Sequence, residues 1–483
     1  MSMLVLLPLL APLAAAFACV LAAGRPRLQL FLSWTGLSVL LVCAVALLLA
    51  VEHGTLRVAL GNWPAPFGIE FAADRLSASM VLVASLMGAA TLAFQMSDAD
   101  PASPDGALLP LIHGMLAGAC GAFLTADLFN LYVWFELTLI CALGLMVRRA
   151  TLRDLEATLK YFALNVAGTL LLLAAVALVY AMTGHLNFDA LGHAARQLDA
   201  AILLPFITLL VLALLIKAAA FPFYAWLPAS YHVLPAPLLA LFAALLTKVG
   251  AYALLRVLGD VFAGSSVMLY QALGWLAVLT MVSGVLGAAY HWDMRRILAF
   301  HIVSQIGYML LGIALASPAG SAGAMFYMWH NMVVKGGLIL IAAMVFRLTG
   351  HYDLRRIGGL YSARPWLAVL FLVTALAQVG IPPLSGFWGK LLIVRESFAQ
   401  GQAVWGATAL GVGVLTLYSM AKIWMEAFWK PHPDPVWQPA SARLTPAYAV
   451  TAMLALLALG VGVYPEPFIV FASDAARTLG GDR

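Results

Sequence analysis

The chain has 483 residues, of which 64% are hydrophobic and only 10% charged, whereas an ordinary soluble domain is about 45–50% apolar and about 25% charged. That excess excludes a soluble enzyme and implies a polytopic membrane protein. The net charge of +5 carries no nucleic-acid reading, because in such a protein the placement of Lys and Arg matters more than their sum.

Taking about 20 apolar residues as one crossing, fourteen segments follow in chain order: 2–23, 28–50, 74–96, 107–125, 127–147, 158–182, 201–221, 236–256, 266–290, 296–317, 323–346, 365–394, 404–428 and 445–464. Runs this long are too long for barrel strands, and in lipid only helices or closed barrels satisfy their backbone. The expected fold is therefore an all-α membrane domain of about 14 transmembrane helices. Segment one has no basic residue before it and is followed by Arg25 and Arg27, which makes it a poor signal peptide and a good first helix. Cys19, Cys43, Cys120 and Cys141 each sit inside an apolar run, without a C-x-x-C or a histidine at ligand spacing. They read as small buried side chains, and neither metal nor cofactor is expected.

Segment four carries Gly114, Gly118 and Gly121, a stripe that lets helices pack closely. His113 on the same segment reads as a structural histidine. Segment five, LFNLYVWFELTLICALGLMV, has Glu136 at its centre with no compensating charge within a turn. A carboxylate there must be protonated or find a cation on a neighbouring helix, and Lys217 of segment seven is the natural partner. Desolvation disfavours the charged form of either group and pairing favours it, so making and breaking the pair would move a proton on and off the lysine.

Lys217 stands five residues before Pro222, and Pro228, Pro235 and Pro237 follow before Lys248, mid-way through segment eight. An ammonium at that depth is tolerated only where it faces the protein interior or a wet cavity. Lys248 is about eight residues, roughly 12 Å of helix, from the polar exit at Arg256, too far to snorkel. Further on lie His301, Ser304 and Gln305 in segment ten, His330 and Lys335 in eleven, and Lys422 at the end of thirteen, beside the basic loop at Lys430. These residues, with His232 in the loop after segment seven as a lesser candidate, string together as a hydrated proton relay, since intramembrane His and Lys mark proton paths. Lys422 is equally readable as a lysine that snorkels.

Segment twelve, AQVGIPPLSGFWGKLLI, echoes segment seven: each is broken by proline and carries a lysine at depth, here Lys390. Such a pair points to an inverted repeat. Segments four to eight then match nine to thirteen, and the odd number of helices inverts the second copy. The chain divides into 1–106 with helices one to three, a first unit at 107–256, a second at 257–430, and a last helix with its tail at 431–483. Outside the six lysines in or bordering segments, loops after odd-numbered segments hold thirteen basic residues, among them Arg148, Arg149, Arg153, Arg295, Arg296, Arg355, Arg356 and Arg443, and the opposite side with Arg483 holds seven. The positive-inside rule puts both termini outside the cytoplasm.

No G-x-G-x-x-G or P-loop follows a strand, and no Ser-His-Asp set stands at a segment end, so the chain has no redox or hydrolytic site of its own. The stretches TADLFNLYVWFELTLI, LKYFALNVAGTLLLL, FPFYAWLPASYHVLPAP, RRILAFHIVSQIGYMLLGI and GIPPLSGFWGK together resemble the antiporter-type subunits shared by respiratory NADH:quinone oxidoreductase and Mrp-type cation/proton antiporters. GNWPAPFGIEFAADRLSA at 61–78 resembles, more narrowly, the D-type subunits of Mrp complexes. The resemblance implies fourteen helices in two inverted five-helix units, broken helices seven and twelve, a Glu/Lys pair at Glu136 and Lys217, and further relay lysines at Lys248 and Lys390. Many relatives carry histidine where this chain has Gln305, and the chain ends at Arg483 without the long lateral helix of the largest respiratory relatives.

The expected function is that of a proton-translocating subunit of a multisubunit Na+/H+ antiporter in the cell membrane, working with partner subunits. The alternative is the equivalent pump subunit of a respiratory complex. A membrane-embedded transferase would want an exposed polar catalytic loop, and the loops at 51–73 and 429–444 hold few candidates.

Overall fold

The computed structural model describes residues 3–96, 106–440 and 444–479. Two residues counted toward the loop asymmetry, Arg443 and Arg483, lie outside them. Nineteen α-helices run in order among the described residues: α1 (Met3–Leu21), α2 (Pro26–Ala50), α3 (Arg75–Met96), α4 (Leu108–Leu124), α5 (Leu128–Val147), α6 (Leu152–Thr183), α7 (Phe188–Gln197), α8 (Ala200–Ala218), α9 (Trp226–Ser230), α10 (Ala236–Arg256), α11 (Val267–Tyr290), α12 (Met294–Ala314), α13 (Pro318–Thr349), α14 (Leu360–Ala363), α15 (Pro365–Val379), α16 (Ser385–Ala399), α17 (Ala403–Ile423), α18 (Thr445–Val463) and α19 (Glu466–Thr478). Twelve helical spans among the described residues are long and apolar enough to cross a bilayer, and α4 and α15 are shorter apolar helices. Every expected segment is helical.

The chain makes three elements that hydropathy alone does not mark. The loop at 51–73 holds an antiparallel hairpin of β1 (Leu56–Ala59) and β2 (Glu70–Ala73). The amphipathic α7 and α19 are too polar to cross lipid. They lie near the β-hairpin end of the bundle, where α7 meets the helical turn Val257–Val261 and α19 packs on α3 and α13.

The helices begin and end where local chemistry demands. Thr151, Asn187, Asp293 and Ser317 accept backbone N–H bonds as N-caps of α6, α7, α12 and α13, which satisfies donors a helix start leaves open. Gly184 and Gly350 close α6 and α13 at φ 71° and 76°, a left-handed conformation that costs glycine nothing. At the centre, α10 is buried on every side along its most apolar stretch, and α12 nearly so.

Two stretches of the chain share a register. Asp127 bridges Asn187, and Asp293 bridges Asp353, each pair joining the start of one helix to the loop two helices on. The same offset of 166 residues relates Asp127 to Asp293 and Asn187 to Asp353, and superposes Thr183-Gly184-His185 on Thr349-Gly350-His351 with the same hydrogen bonds around the threonine hydroxyl. It also equates two close helix crossings: a Cβ on Gly118 would stand 2.3 Å from Thr138 Oγ1, and one on Gly284 would stand 2.4 Å from the Ser304 backbone. The stripe of Gly114, Gly118 and Gly121 is thus a packing seam between α4 and α5.

Candidate functional site

Lys217 is placed by the break that ends α8. The Ala220 N–H donates to the Leu215 carbonyl at 3.0 Å, and Ala219 takes a left-handed φ of 59°, a closure that stops the helix one turn short of the next. Pro222 cannot continue it, and short helical pieces carry the chain on to α9. Lys217 is buried, and its Nζ donates to the Asn165 carbonyl at 3.0 Å and to the Thr169 hydroxyl, both on α6. It also lies over the Phe135 ring, 5.7 Å from its centroid.

The expected Glu136–Lys217 contact is not made. Glu136 is within Coulombic reach of Lys217, yet α6 packs between α5 and α8 and supplies the ammonium's hydrogen bonds itself. Glu136 is partly exposed, on the stripe of α5 that also presents Phe129, Val133 and Ile140 outward. The carboxylate and the lysine are neighbours that make no direct contact.

The second break repeats the first. The Ile381 N–H donates to the Leu376 carbonyl at 3.2 Å and Gly380 takes φ 90°, so Leu215 and Ala220 correspond to Leu376 and Ile381. In that register Lys217 corresponds to Gln378. The sequence echo pairs Lys217 with Lys390, whereas the backbone places Lys390 beyond the break, on α16. Its Nζ turns back and donates to the Val379 carbonyl at 2.7 Å, with the Gln378 carbonyl at 3.4 Å. Each break thus has a lysine beside it: Lys217, in the last turn before the first break, bonds across to α6, whereas Lys390, beyond the second, bonds back to the end of the half-helix before it.

Between and beyond the breaks lies a row of buried bases. Lys248 is fully enclosed on α10 and donates to the Ala243 carbonyl at 2.7 Å. Lys335, on α13, is fully buried with no hydrogen-bond partner for its Nζ. Lys248 and Lys390 both lie within Coulombic reach of Lys335, and Lys335 and Lys390 within reach of both His330 and His301. His330 Nδ1 is 2.8 Å from Ser385 Oγ and His301 Nε2 is 2.5 Å from Ser419 Oγ, which leaves His330 Nε2 and His301 Nδ1 unpartnered. Gln305 accepts from the Tyr327 hydroxyl through Oε1. Its Nε2, both side-chain polar atoms of Asn331 and both of Gln378 have no partner. Buried polar groups are nearly always satisfied by protein or water, so this density of open positions marks a polar seam through an otherwise apolar core.

Other candidates stand apart from the row or at its end. His113 Nε2 bonds Ser33 Oγ at 2.8 Å between α2 and α4, away from the lysines. Lys422 donates to the carbonyls of Ala289 and His291 at 2.7 and 2.6 Å, capping the end of α11, and also lies within Coulombic reach of His301. His232 lines a cavity of about 580 Å³ with Arg153, Lys160, Tyr224, Ala225 and Arg296. That cavity reaches Tyr224 and Ala225, in the short helical pieces that follow the break.

Sequence reasoning missed the cluster at the hairpin end of the bundle. There Arg256 donates to Asp74 at 2.5 Å, to Asp260 at 2.8 Å and to the Tyr252 hydroxyl at 2.9 Å, and Tyr252 in turn donates to the Phe123 carbonyl at 2.5 Å. Burial alone would raise the Asp74 carboxyl, but the Arg256 charge and the Ser77 hydrogen bonds outweigh it and hold Asp74 below the usual carboxylate range. A polar cavity of about 460 Å³ opens there, lined by Arg57, Asp74, Asp189, His193 and Arg256 among others. The signal was present in Arg256 and Asp260, an acid and a base four apart at the end of the most buried helix.

Residues 125–416 match the family model described as NADH:quinone oxidoreductase/Mrp antiporter, membrane region. The chain is 40% identical over 433 residues to the D subunit of the Na+/H+ antiporter of Alkalihalophilus pseudofirmus, covering 89% of this chain and 87% of that protein. It is 35% identical to the protein of the same name from Bacillus subtilis, over 99% of this chain and 97% of the relative. Among solved structures, a chain of the Mrp complex from a Dietzia species superposes with a TM-score of 0.92 at 31% identity, covering 99% of this chain and 98% of that one. A chain of respiratory complex I from Thermus thermophilus superposes at 0.82 with 26% identity, covering 99% and 100%.

Proposed function

The chain belongs to the NADH:quinone oxidoreductase/Mrp antiporter family of membrane subunits, and from that premise we propose that it is the D-type subunit of a multisubunit Na+/H+ antiporter of the cell membrane. The observation that carries the proton-handling part is the row of buried bases in which Lys335 lies within Coulombic reach of Lys248, Lys390, His330 and His301, edged by unpartnered polar atoms. The exchange partner, Na+, and the need for other subunits are carried over from the relatives named as D subunits of Na+/H+ antiporters. Those relatives match nearly the whole chain and favour this reading over the pump subunit of a respiratory complex.

In this reading protons enter by the cavity that His232 lines, reach the break at Ala219–Ala225, and load Lys217 in place of its bonds to Asn165 and Thr169. Glu136 stabilises the charged lysine without touching it. Closing that gap would hold the proton, and opening it would release the proton toward Lys248. Water bridges the open positions on Asn331, Gln305 and Gln378, since a polar site with two to four partners holds water readily. Lys390 receives the proton at the second break. The shared register supports two five-helix units at 107–256 and 257–430, the second inverted because five is odd. The thirteen-to-seven basic asymmetry places both termini outside the cytoplasm. Na+-dependent proton movement in vesicles carrying the assembled complex tests the reading.

A further inference from the structure

The cavity that His232 lines holds more positive charge than the protein itself neutralises. It encloses about 580 Å³ between α6, α9 and α12, at the end of the bundle opposite the β-hairpin, a volume in the range of pockets that hold small ligands. Three of its lining residues are cations, Arg153, Lys160 and Arg296, and one is an acid, Glu156. Lys160 is held by Glu156 at 2.5 Å. Arg295, next to Arg296, is likewise engaged, by Asp293 at 3.5 Å and by the Tyr352 ring. Among the described residues the guanidinium groups of Arg153 and Arg296 form no ion pair, and both side chains are exposed.

These charges converge on one place. Arg153, Arg295 and Arg296 all lie within Coulombic reach of His232, and so does Glu156 with the opposite sign. Arg153 on α6 and Arg296 on α12 thus serve one space from two helices, and the Tyr224 hydroxyl lines it too. An anion with several acceptor oxygens answers such a set, and guanidinium is the side chain whose fork best matches phosphate. The outer faces next to the cavity are apolar. Leu159 is exposed on α6 beside Lys160, with Phe162 further along, and Leu286 and Tyr290 are exposed on α11 just before His291, which also lines the cavity. Unpaired cations at the rim of an apolar membrane face suit a phosphate that carries acyl chains, whereas a free phosphate uses the cations alone.

We propose that this cavity binds the phosphate of an anionic phospholipid, held by Arg153 and Arg296, with its acyl chains against the outer faces of α6 and α11. Transport would respond to that occupancy. His232 Nδ1 stands 3.2 Å from the Pro228 carbonyl and donates to it, so Nε2 can meet a phosphate oxygen only by taking a proton. The lipid thus offsets the arginine charges at the proton entrance and favours a proton on the base that lines it. That consequence rests on the proposed function, whereas occupancy of the cavity does not.

The test is photolabelling of the purified complex in phosphatidylcholine nanodiscs, with phosphatidylglycerol or phosphatidylcholine bearing a diazirine in the acyl chain, and mapping of the adducts by mass spectrometry. The phosphatidylglycerol probe should label 155–166 of α6 or 279–290 of α11 at least about tenfold more than the phosphatidylcholine probe, equivalent to about 1.4 kcal/mol. Arg153→Gln and Arg296→Gln break no ion pair within the chain and should each lower that excess about fivefold. Equal labelling by the two probes overturns the proposal, as does an undiminished excess in the double variant. Loss of the excess on adding millimolar inorganic phosphate shows a site for the free ion and overturns the lipid assignment. Exchange in phosphatidylcholine vesicles should rise about threefold or more when phosphatidylglycerol is included, and should not rise in the double variant. Selective labelling without that rise upholds the site and removes this cavity from the proton path.

Discussion

Lys390 Nζ donates to the Val379 carbonyl at 2.7 Å, reaching back across a helix break to the last turn of the half-helix it follows. At the other break Lys217 belongs to the last turn itself. The two lysines thus stand at equivalent breaks but bond differently, Lys217 to α6 and Lys390 to the freed carbonyls, and Gln378 occupies the place before the second break that Lys217 holds before the first. A freed carbonyl at a break is a strong acceptor that must be met. An ammonium meets it while keeping a proton available.

This geometry predicts an exchangeable placement. Lys390→Arg should assemble and lose exchange by about tenfold or more, since a guanidinium keeps its proton up to a pKa above about 12. Lys390→Gln should lose exchange as well, whereas Gln378→Lys added to Lys390→Gln should restore a measurable part of it. Rates of Na+-driven proton movement at matched complex levels check both. A double variant as inactive as Lys390→Gln would show that the side from which the lysine arrives matters.

Glu136 and Lys217 act without a direct contact, so their roles separate by degree. Glu136→Ala and Lys217→Ala should abolish exchange in a complex that still assembles. Thr169→Val removes one of two hydrogen bonds to Nζ and should cost about 1 kcal/mol, about fivefold in rate. Rates in vesicles with matched complex levels decide it, and a Thr169→Val variant as dead as Lys217→Ala would place the proton on the threonine side of the contact.

The Asp74–Arg256 pair gives a pH dependence of stability. Because the Asp74 carboxyl is held below its ordinary value, its contribution is fully present above the unfolded value of about 4 and is lost as pH falls below it. Asp74→Asn should therefore lower the unfolding temperature of the purified complex at pH 7, at a cost of about 3 kcal/mol for a buried pair. The difference from wild type should shrink below about pH 4, as read by thermal melts across that range. A gap that stays constant down to pH 3 would contradict the assignment.

The loop charges predict an orientation. Reporter tags in the 149–157 loop and at the C-terminus should read opposite sides, the first cytoplasmic, and tags on the same side would remove the crossing number or its sense.

Much of this was legible in the amino-acid order, and the misses have physical reasons. The fourteen segments are visible because a crossing demands about 20 apolar residues. The hairpin, α7 and α19 are not, because short amphipathic pieces at the rim obey no such demand. The buried bases are legible one by one, since lipid makes each costly. Their grouping is not, because it depends on which helix lies between which. Glu136 and Lys217 show this: the ammonium bonds to α6 and not to the carboxylate. The match of Lys217 with Gln378 was not legible: the Thr-Gly-His repeats at 183–185 and 349–351 are 166 residues apart, but the break bonds at Leu215 and Leu376 are 161 apart, so only the backbone sets that register.

The central claim is that buried lysines carry the proton that Na+ exchanges for. Everted vesicles with the complete complex, loaded with a pH-sensitive dye and energised to an acid interior, test it when NaCl is added. Wild type should alkalinise the interior at once, and Lys217→Arg, present and assembled at equal level, should leave it acid because its charge stays fixed. Alkalinisation by Lys217→Arg at the wild-type rate would contradict the account.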